Sequence, residues 1–202
     1  VSVNTAGVLA GRKVVAISAG ANYSLALCSD GLPVSWGTGG FGNLGDGTIG
    51  REAHVPVNVT ATGVLSGKKV TAISAGKNHA LALCSDNTVV AWGSNNDGQT
   101  GGNSGSSPVL INPLGVLAGK TVTSISAGDT HSIALCSDGS VAAWGRGKLG
   151  DGTLAVNSTP VAVSTAGILS GKSVIAAVAG FTHSAALCSD GTLAAWGENG
   201  SQ

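Results

Sequence analysis

Ser126 to Gly145 reads SAGDTHSIALCSDGSVAAWG, and the same twenty-column pattern stands at Ser18–Gly37, Ser74–Gly93 and Val178–Gly197. Nine columns are identical in all four copies, among them Ala-Gly near the start, Ala-Leu-Cys-Ser-Asp in the middle and Trp-Gly at the end. Cys28, Cys84, Cys136 and Cys188 are separated by 56, 52 and 52 residues, and Trp36, Trp92, Trp144 and Trp196 by the same steps. A fixed period of this size marks a repeat architecture, in which each unit buries its apolar faces only against its neighbours. The whole of residues 1–202 therefore reads as one repeat domain with cores at 18–37, 74–93, 126–145 and 178–197.

Within the third copy, Asp138-Gly139 predicts a two-residue hairpin turn, because such turns need positive φ that glycine supplies freely. The corresponding turns are expected at Asp30-Gly31, Asp86-Asn87 and Asp190-Gly191. This turn sets Cys136 opposite Val141 and Ile133 opposite Trp144. One face then holds Ala134, Cys136, Val141 and Ala143, the other Ile133, Leu135, Ala142 and Trp144. Both faces are apolar, so the hairpin is expected between two other sheets rather than open to water. A β-rich stretch precedes each hairpin (14–18, 70–74, 122–126, 174–178) and another follows it, led by Pro56, Pro108 or Pro160. Proline lacks an N–H and suits a strand start or an outer edge. Four short strands per period with both faces buried describe an all-β propeller blade, with almost no helix.

The A-G-x-x-H-[ST]-x-A-L-x-x-D-G-x-x-x-x-W-G pattern, followed by G-Q or L-G-D-G, resembles the RCC1 repeat (regulator of chromosome condensation) over all four periods. The resemblance implies a propeller of four-stranded blades, seven in the family's closed form. The constant ALCSD and the GVLxGK connector are most similar to bacterial members. Val1–Gly7 matches Val161–Gly167, and methionine is absent, which together predict an excerpt of a longer chain, forming an open arc of about four blades. Val1–Val3 could instead supply the outer strand of the fourth blade and close a four-bladed ring. The short connector and the family pattern favour the arc.

Charge is sparse: ten basic and ten acidic residues with no run of either sign. That leaves no electrostatic footprint for nucleic acid or an anionic membrane, and no apolar run reaches the length of a membrane span. The composition, rich in Gly, Ser, Thr and Asn and poor in charge, leans slightly toward a secreted or cell-surface setting.

His79, His131 and His183 each precede a cysteine by five residues. An odd separation along a strand sends the two side chains to opposite faces, so they cannot share a metal. No metal or cofactor is expected, and each histidine is read as bonding a neighbouring blade or its own loop. Asp129, His131 and Ser132 contain the residue types of a triad, but adjacent strand residues point apart and only one copy holds all three, so nucleophilic catalysis is not expected. The cysteines share one strand position and read as unpaired small hydrophobes; the tryptophans read as blade-packing residues. Some plant relatives sense ultraviolet light through tryptophans beside the histidine, but Asn22, Asn78, Thr130 and Thr182 stand there.

The copies differ where strands begin. After Ala-Gly the column reads Ala21, Lys77, Asp129, Phe181; two positions on it reads Tyr23, His79, His131, His183; after Trp-Gly it reads Thr38, Ser94, Arg146, Glu198. Four extra residues fall near Thr48–His54 and include Arg51, Glu52 and His54, which reads as a longer surface loop or a protruding contact element. A constant frame with varied loops implies a non-enzymatic scaffold that binds another protein. The candidate rim positions are Tyr23, Lys77, His79, Asp129, His131, Phe181, His183, Arg51 and His54. Two alternatives stand beside this: guanine nucleotide exchange on a small GTPase, as the family resemblance implies, and carbohydrate or cell-wall binding, for which only Tyr23, Phe41 and Phe181 offer aromatic platforms.

Overall fold

The computed structural model describes residues 2–102 and 105–198. Its regular structure is β-strand apart from four three-residue 3-10 turns, at Gly7–Leu9, Gly63–Leu65, Gly115–Leu117 and Gly167–Leu169. Blade 1 is β1 (Val14–Ala19), β2 (Tyr23–Cys28), β3 (Pro33–Gly39) and β4 (Arg51–Asn58). Blade 2 is β5 (Val70–Ala75), β6 (His79–Cys84), β7 (Val89–Gly93) and β8 (Gly105–Leu110). Blade 3 is β9 (Val122–Ala127), β10 (His131–Cys136), β11 (Val141–Gly145) and β12 (Asn157–Ala162). Blade 4 is β13 (Val174–Ala179), β14 (His183–Cys188) and β15 (Leu193–Gly197). Every sheet is an antiparallel meander in chain order, and neighbouring blades meet through their first strands, which are innermost. The fourth strands are outermost. They begin before their prolines, so Pro56, Pro108 and Pro160 lie within an edge strand, where a missing donor disturbs nothing.

The blades form an open arc. Residues 2–5 are not in a strand, and among the described residues blade 4 has no fourth strand; Val1, for which a closing role was one expectation, lies outside them.

The hairpin register differs by one residue from the sequence expectation. Leu135 pairs with Val141, Ala134 with Ala142, Ile133 with Ala143 and Ser132 with Trp144. The turn is a three-residue loop, Ser137-Asp138-Gly139, closed by Gly139 N–H donating to the Cys136 carbonyl (2.9 Å) and Cys136 N–H to that of Ser140 (2.9 Å). Gly139 sits at φ +78°, the left-handed conformation that ends such a loop; Asn87 holds it in blade 2 at +69°. The Asp138 carboxylate accepts from the Ser140 N–H at 3.0 Å, which fixes the loop. The faces therefore sort differently. Ala134, Cys136, Ala142 and Trp144 pack on Leu81, Leu83, Val89 and Ala91 of blade 2, whereas Ile133, Leu135, Val141 and Ala143 pack on Ala186, Cys188 and Ala194 of blade 4. Each seam thus joins a branched-aliphatic face to a small-plus-tryptophan face, and Trp92 and Trp144 are fully enclosed. The four cysteines are free and buried.

One device recurs on the turn side of every blade. The connector's Arg12, Lys68, Lys120 or Lys172 pairs with Asp30, Asp86, Asp138 or Asp190 of the following hairpin turn, always eighteen residues on. Connector and turn are pinned together while Leu65, Leu117 and Leu169 of the 3-10 turns fill the seams.

Candidate binding surface

The loops between first and second strands gather at one end of the arc, around its inner side. Their floor is the constant Ala-Gly pair. A Cβ built on Gly76 comes within 2.4 Å of the Gly128 carbonyl oxygen, and one on Gly128 within 2.4 Å of that of Gly180. Glycine is required here by the approach of the next blade's backbone, not by φ. Lys77 N–H donates to the Gly128 carbonyl (3.1 Å) and Asp129 N–H to that of Phe181 (3.3 Å). The serine before Ala-Gly adds a second tie: Ser18, Ser74 and Ser126 Oγ accept from the N–H of Ala75, Ala127 and Ala179 (2.9–3.0 Å).

On this floor the varied column comes together. Ala21, Lys77, Asp129 and Phe181 line one basin of about 350 Å³. Lys77 Nζ lies 3.0 Å from Asp129 Oδ2 and 5.1 Å from the centroid of the Phe181 ring, a cation held between a carboxylate and an aromatic face. Asp129 is nearly covered, Lys77 half-exposed, and Phe181 62% exposed. Residues of three blades thus form one patch in which the ammonium is already partnered and the ring is presented.

The second varied column is not on the rim. Tyr23, His79 and His131 lie in the seams, at 4%, 0% and 4% exposure; only His183 is exposed. His79 Nε2 is 2.9 Å from Ser132 Oγ of the next blade, and His131 Nε2 is 2.9 Å from Ser184 Oγ. Where blade 2 has Ala80 instead of that serine, blade 1 has Tyr23, whose hydroxyl passes over it to donate to the His79 carbonyl. Two seam versions result, His with Ser and Tyr with Ala.

The His79–Ser132 contact is not a nucleophile and its base. Ser132 Oγ donates to the Gln99 carbonyl (2.9 Å), so its bond with His79 requires the imidazole to donate from Nε2. His79 Nδ1 is then a buried lone pair with no partner among the described residues. Burial, and secondarily His131, push the His79 pKa down to about 3. Burial, and secondarily His183, push His131 down to about 4, against the opposing pull of Asp129. Asp129, His131 and Ser132 do not assemble into a triad: Asp129 holds Lys77, His131 holds Ser184, and Ser132 holds His79.

Arg51 and His54 are exposed on β4. The extra residues do not make a longer loop. They extend the outer hairpin, with Gly39 paired to Arg51, Thr38 to Glu52 and Gly37 to Ala53, and Arg51 bridges to Asp46 at 2.9 Å. On the same end Arg146 bridges to Asp97 of the preceding blade's loop (3.1 Å). Of the three aromatics available for stacking on sugars, Tyr23 is buried, leaving Phe41 and Phe181. Among the described residues no cluster of three or more His, Cys, Asp or Glu side chains could hold a metal ion, and no helix is long and apolar enough to cross a membrane.

Four antiparallel meanders packed face to face around an axis, with varied loops at one end, define a β-propeller scaffold. The chain belongs to the family of the Regulator of chromosome condensation (RCC1) repeat, whose sequence patterns match residues 34–83 and 86–135 in one form and 70–99, 122–151 and 174–202 in another. It is 37% identical over 201 residues to the E3 ubiquitin-protein ligase HERC2 of Homo sapiens, covering 96% of this chain and 4% of that protein. It is 33% identical to the Ultraviolet-B receptor UVR8 of Arabidopsis thaliana, covering 92% of this chain and 42% of that one. The crystal structure of Prp20p from Saccharomyces cerevisiae, described with its binding properties to Gsp1p and histones, superposes with a TM-score of 0.75 at 25% identity, over 94% of this chain and 44% of that one. The chain therefore spans less than half the length of these relatives.

Proposed function

We propose that this chain is a non-enzymatic scaffold that binds another protein through the end of the arc where its first-to-second-strand loops converge. The supporting observation is the Lys77–Asp129–Phe181 patch. Three side chains that interrupt an otherwise constant repeat converge on one basin, with a large aromatic left in solvent beside a buried-carboxylate ion pair. Aromatic and cationic side chains on a rigid frame are the residue types that anchor protein interfaces. His183, Arg51 and His54 extend the candidate surface outward along the same scaffold. A protein partner also fits Prp20p, whose structure is described with protein ligands; the ligase activity of HERC2 is that protein's, and the shared part is the repeat.

The test is a triple substitution, Lys77→Ala with Asp129→Ala and Phe181→Ala. Proteins crosslinked to the wild-type chain are identified, and affinity for the strongest is measured with both forms. Loss of at least tenfold, about 1.4 kcal/mol, with an unchanged melting curve supports the patch. Equal binding by the stable triple variant moves the search to Arg51 and His54. Guanine nucleotide exchange is the second reading, favoured by the likeness to Prp20p with its Gsp1p binding. It is checked by release of a fluorescent guanine nucleotide from a loaded GTPase, and an unchanged rate at saturating chain removes it.

A further inference from the structure

The repeat is broken twice at one place on the turn side, in the internal seam between blades 2 and 3. The hairpin turns of blades 1, 3 and 4 hold Gly31, Gly139 and Gly191. Blade 2 holds Asn87, which among the described residues is the one non-glycine at positive φ (+69°). Glycine lets the following connector close on the turn. The Gly31 carbonyl accepts from the Val70 N–H (3.0 Å); a Cβ on Gly31 would overlap Lys69, and one on Gly139 would lie 3.0 Å from Ser173 Oγ. Asn87 puts a side chain into that contact. Its Oδ1 accepts from the Val122 N–H and its Nδ2 donates to the Lys120 carbonyl, both at 2.6 Å. The connector is thereby held one amide group away from the turn. The second departure is apolar: Leu110, Ile111 and Pro113 stand where blade 1 has Asn58, Val59 and Ala61 and blade 3 has Ala162, Val163 and Thr165. Wedge and wall line one cavity of about 350 Å³, together with Val89, Leu117 and Val122. That is a size that takes a small molecule.

The polar part of the lining, Asp86, Asn87, Thr88 and Lys120, has donors to spare. The Lys120 ammonium donates to Asp138 (2.8 Å) and Ser140 (2.6 Å), which leaves one N–H. Asn87 Nδ2 keeps a second N–H beyond its bond to Lys120. The Thr88 hydroxyl accepts from Lys68 (3.0 Å) and keeps its own hydrogen. Asp86, the one acid of the lining, is already paired with Lys68 and accepts from the Thr88 N–H (3.0 Å). We propose that this cavity binds a small carboxylic acid with an apolar body. The hydrocarbon part lies against Ile111, Leu117 and Val122, which are buried, and the carboxylate takes the free N–H groups of Asn87 and Lys120. A purely structural Asn87 would account for its two ties to the connector, but not for the larger apolar residues gathered on the same cavity. The hairpin turns lie at the opposite end of the blades from the Lys77–Asp129–Phe181 patch, so neither site depends on the other.

The test titrates the isotopically labelled chain with 3-phenylpropionate, and with 3-phenylpropionamide and 3-phenylpropylamine as matched probes, followed by two-dimensional NMR. The acid should shift the amide signals of residues 86–89 and 117–122 and saturate with a dissociation constant of roughly 1 mM or below. The neutral amide should bind at least tenfold more weakly, because hydrogen bonds to an ionised acceptor are about twice as strong as neutral ones. The amine should leave these signals in place. Asn87→Gly gives blade 2 the turn of the other blades and lets the connector close on it, so acid binding should fall at least tenfold. Leu110→Asn places the blade 1 residue at a position 47% exposed and should weaken the acid by roughly five- to tenfold through lost apolar contact. Both substitutions use residues the repeat already carries at those positions, and thermal melts verify that the fold is kept. Signals that do not move by about 10 mM acid overturn the proposal. So does equal binding of the amide or the amine, or acid binding that either variant leaves unchanged.

Discussion

Lowering the pH from 7 to 4.5 should destabilise the arc through its two seam histidines. Both are neutral in the fold, with pKa values pushed down by burial to about 3 for His79 and about 4 for His131. Their ordinary value of 6.5 applies once the chain unfolds. Below pH 6.5 the unfolded state binds protons that the folded state refuses, so the stability present above that pH is lost progressively as pH falls toward the folded values, and then levels off. At pH 4.5 the loss is about 2.5 kcal/mol for each histidine, or about 5 kcal/mol together, against a total of about 5–15 kcal/mol for a typical domain. The carboxylates do not confuse this window, because Asp86, Asp138 and Asp190 are held below their ordinary 3.8 by the connector lysines and lose that contribution only at lower pH. Urea unfolding at pH 7, 5.5 and 4.5 measures the slope. The informative variant converts seam 3–4 to the version found at seam 1–2, His131→Tyr with Ser184→Ala. It removes one titrating group while keeping a packed seam, and should cut the pH-dependent loss by about half. Stability that stays flat between pH 6.5 and 4.5, or a double variant with the full slope, would refute the assignment of both histidines as buried and neutral.

Gly128→Ala should cost about 1–3 kcal/mol by overpacking, read from thermal melts, because its new methyl meets the Gly180 carbonyl at 2.4 Å. Trp144→Phe removes a buried indole bond to the Gln99 carbonyl (2.9 Å) and should cost about 1–2 kcal/mol. Trp196 Nε1 has no acceptor among the described residues, so Trp196→Phe should stay within about 0.5 kcal/mol in the same denaturant titration. The four thiols should react with a disulfide reagent only after denaturation, since all are buried and the Cys84 thiol is pushed up to about 11 by burial and secondarily by Asp86; rapid reaction of the native chain would contradict that packing.

The period made the blades legible, because a column that recurs in every copy marks a packing position wherever it falls. The hairpin register was not legible from Asp-Gly alone. A two-residue turn and a three-residue loop ending in left-handed glycine share that dipeptide. The choice between them moved Cys136 from opposite Val141 to opposite Ser140 and exchanged residues between the two faces. The repeated connector-to-turn ion pair was open to discovery, since a basic residue stands eighteen positions before each turn aspartate. It shows only when the copies are compared across their connectors, outside the twenty-column core.

The candidate surface was half legible for a related reason. Variation in a column signals exposure only if its neighbours in space are constant. The Ala21–Lys77–Asp129–Phe181 column meets the constant Ala-Gly floor and does reach solvent at Phe181. The Tyr23–His79–His131 column meets another varied column, offset by one repeat: Tyr23 faces Ala80, His79 faces Ser132, His131 faces Ser184. There the larger phenol accompanies the smaller alanine and the imidazole accompanies the hydroxyl, which is the signature of two buried positions adjusting to each other. Reading each copy against its successor, instead of stacking all four, carries that signal. Blade 3 shows what the stacked comparison hides altogether. Buried Leu149 follows Trp144 by five positions where Leu44 follows Trp36 by eight, yet the period from Cys136 to Cys188 stays at 52 because the lost residues return further along the connection. The shortened loop brings no carbonyl to the next blade's indole, as Asn43 and Gln99 do for Trp92 and Trp144, and Trp196 Nε1 has no partner among the described residues.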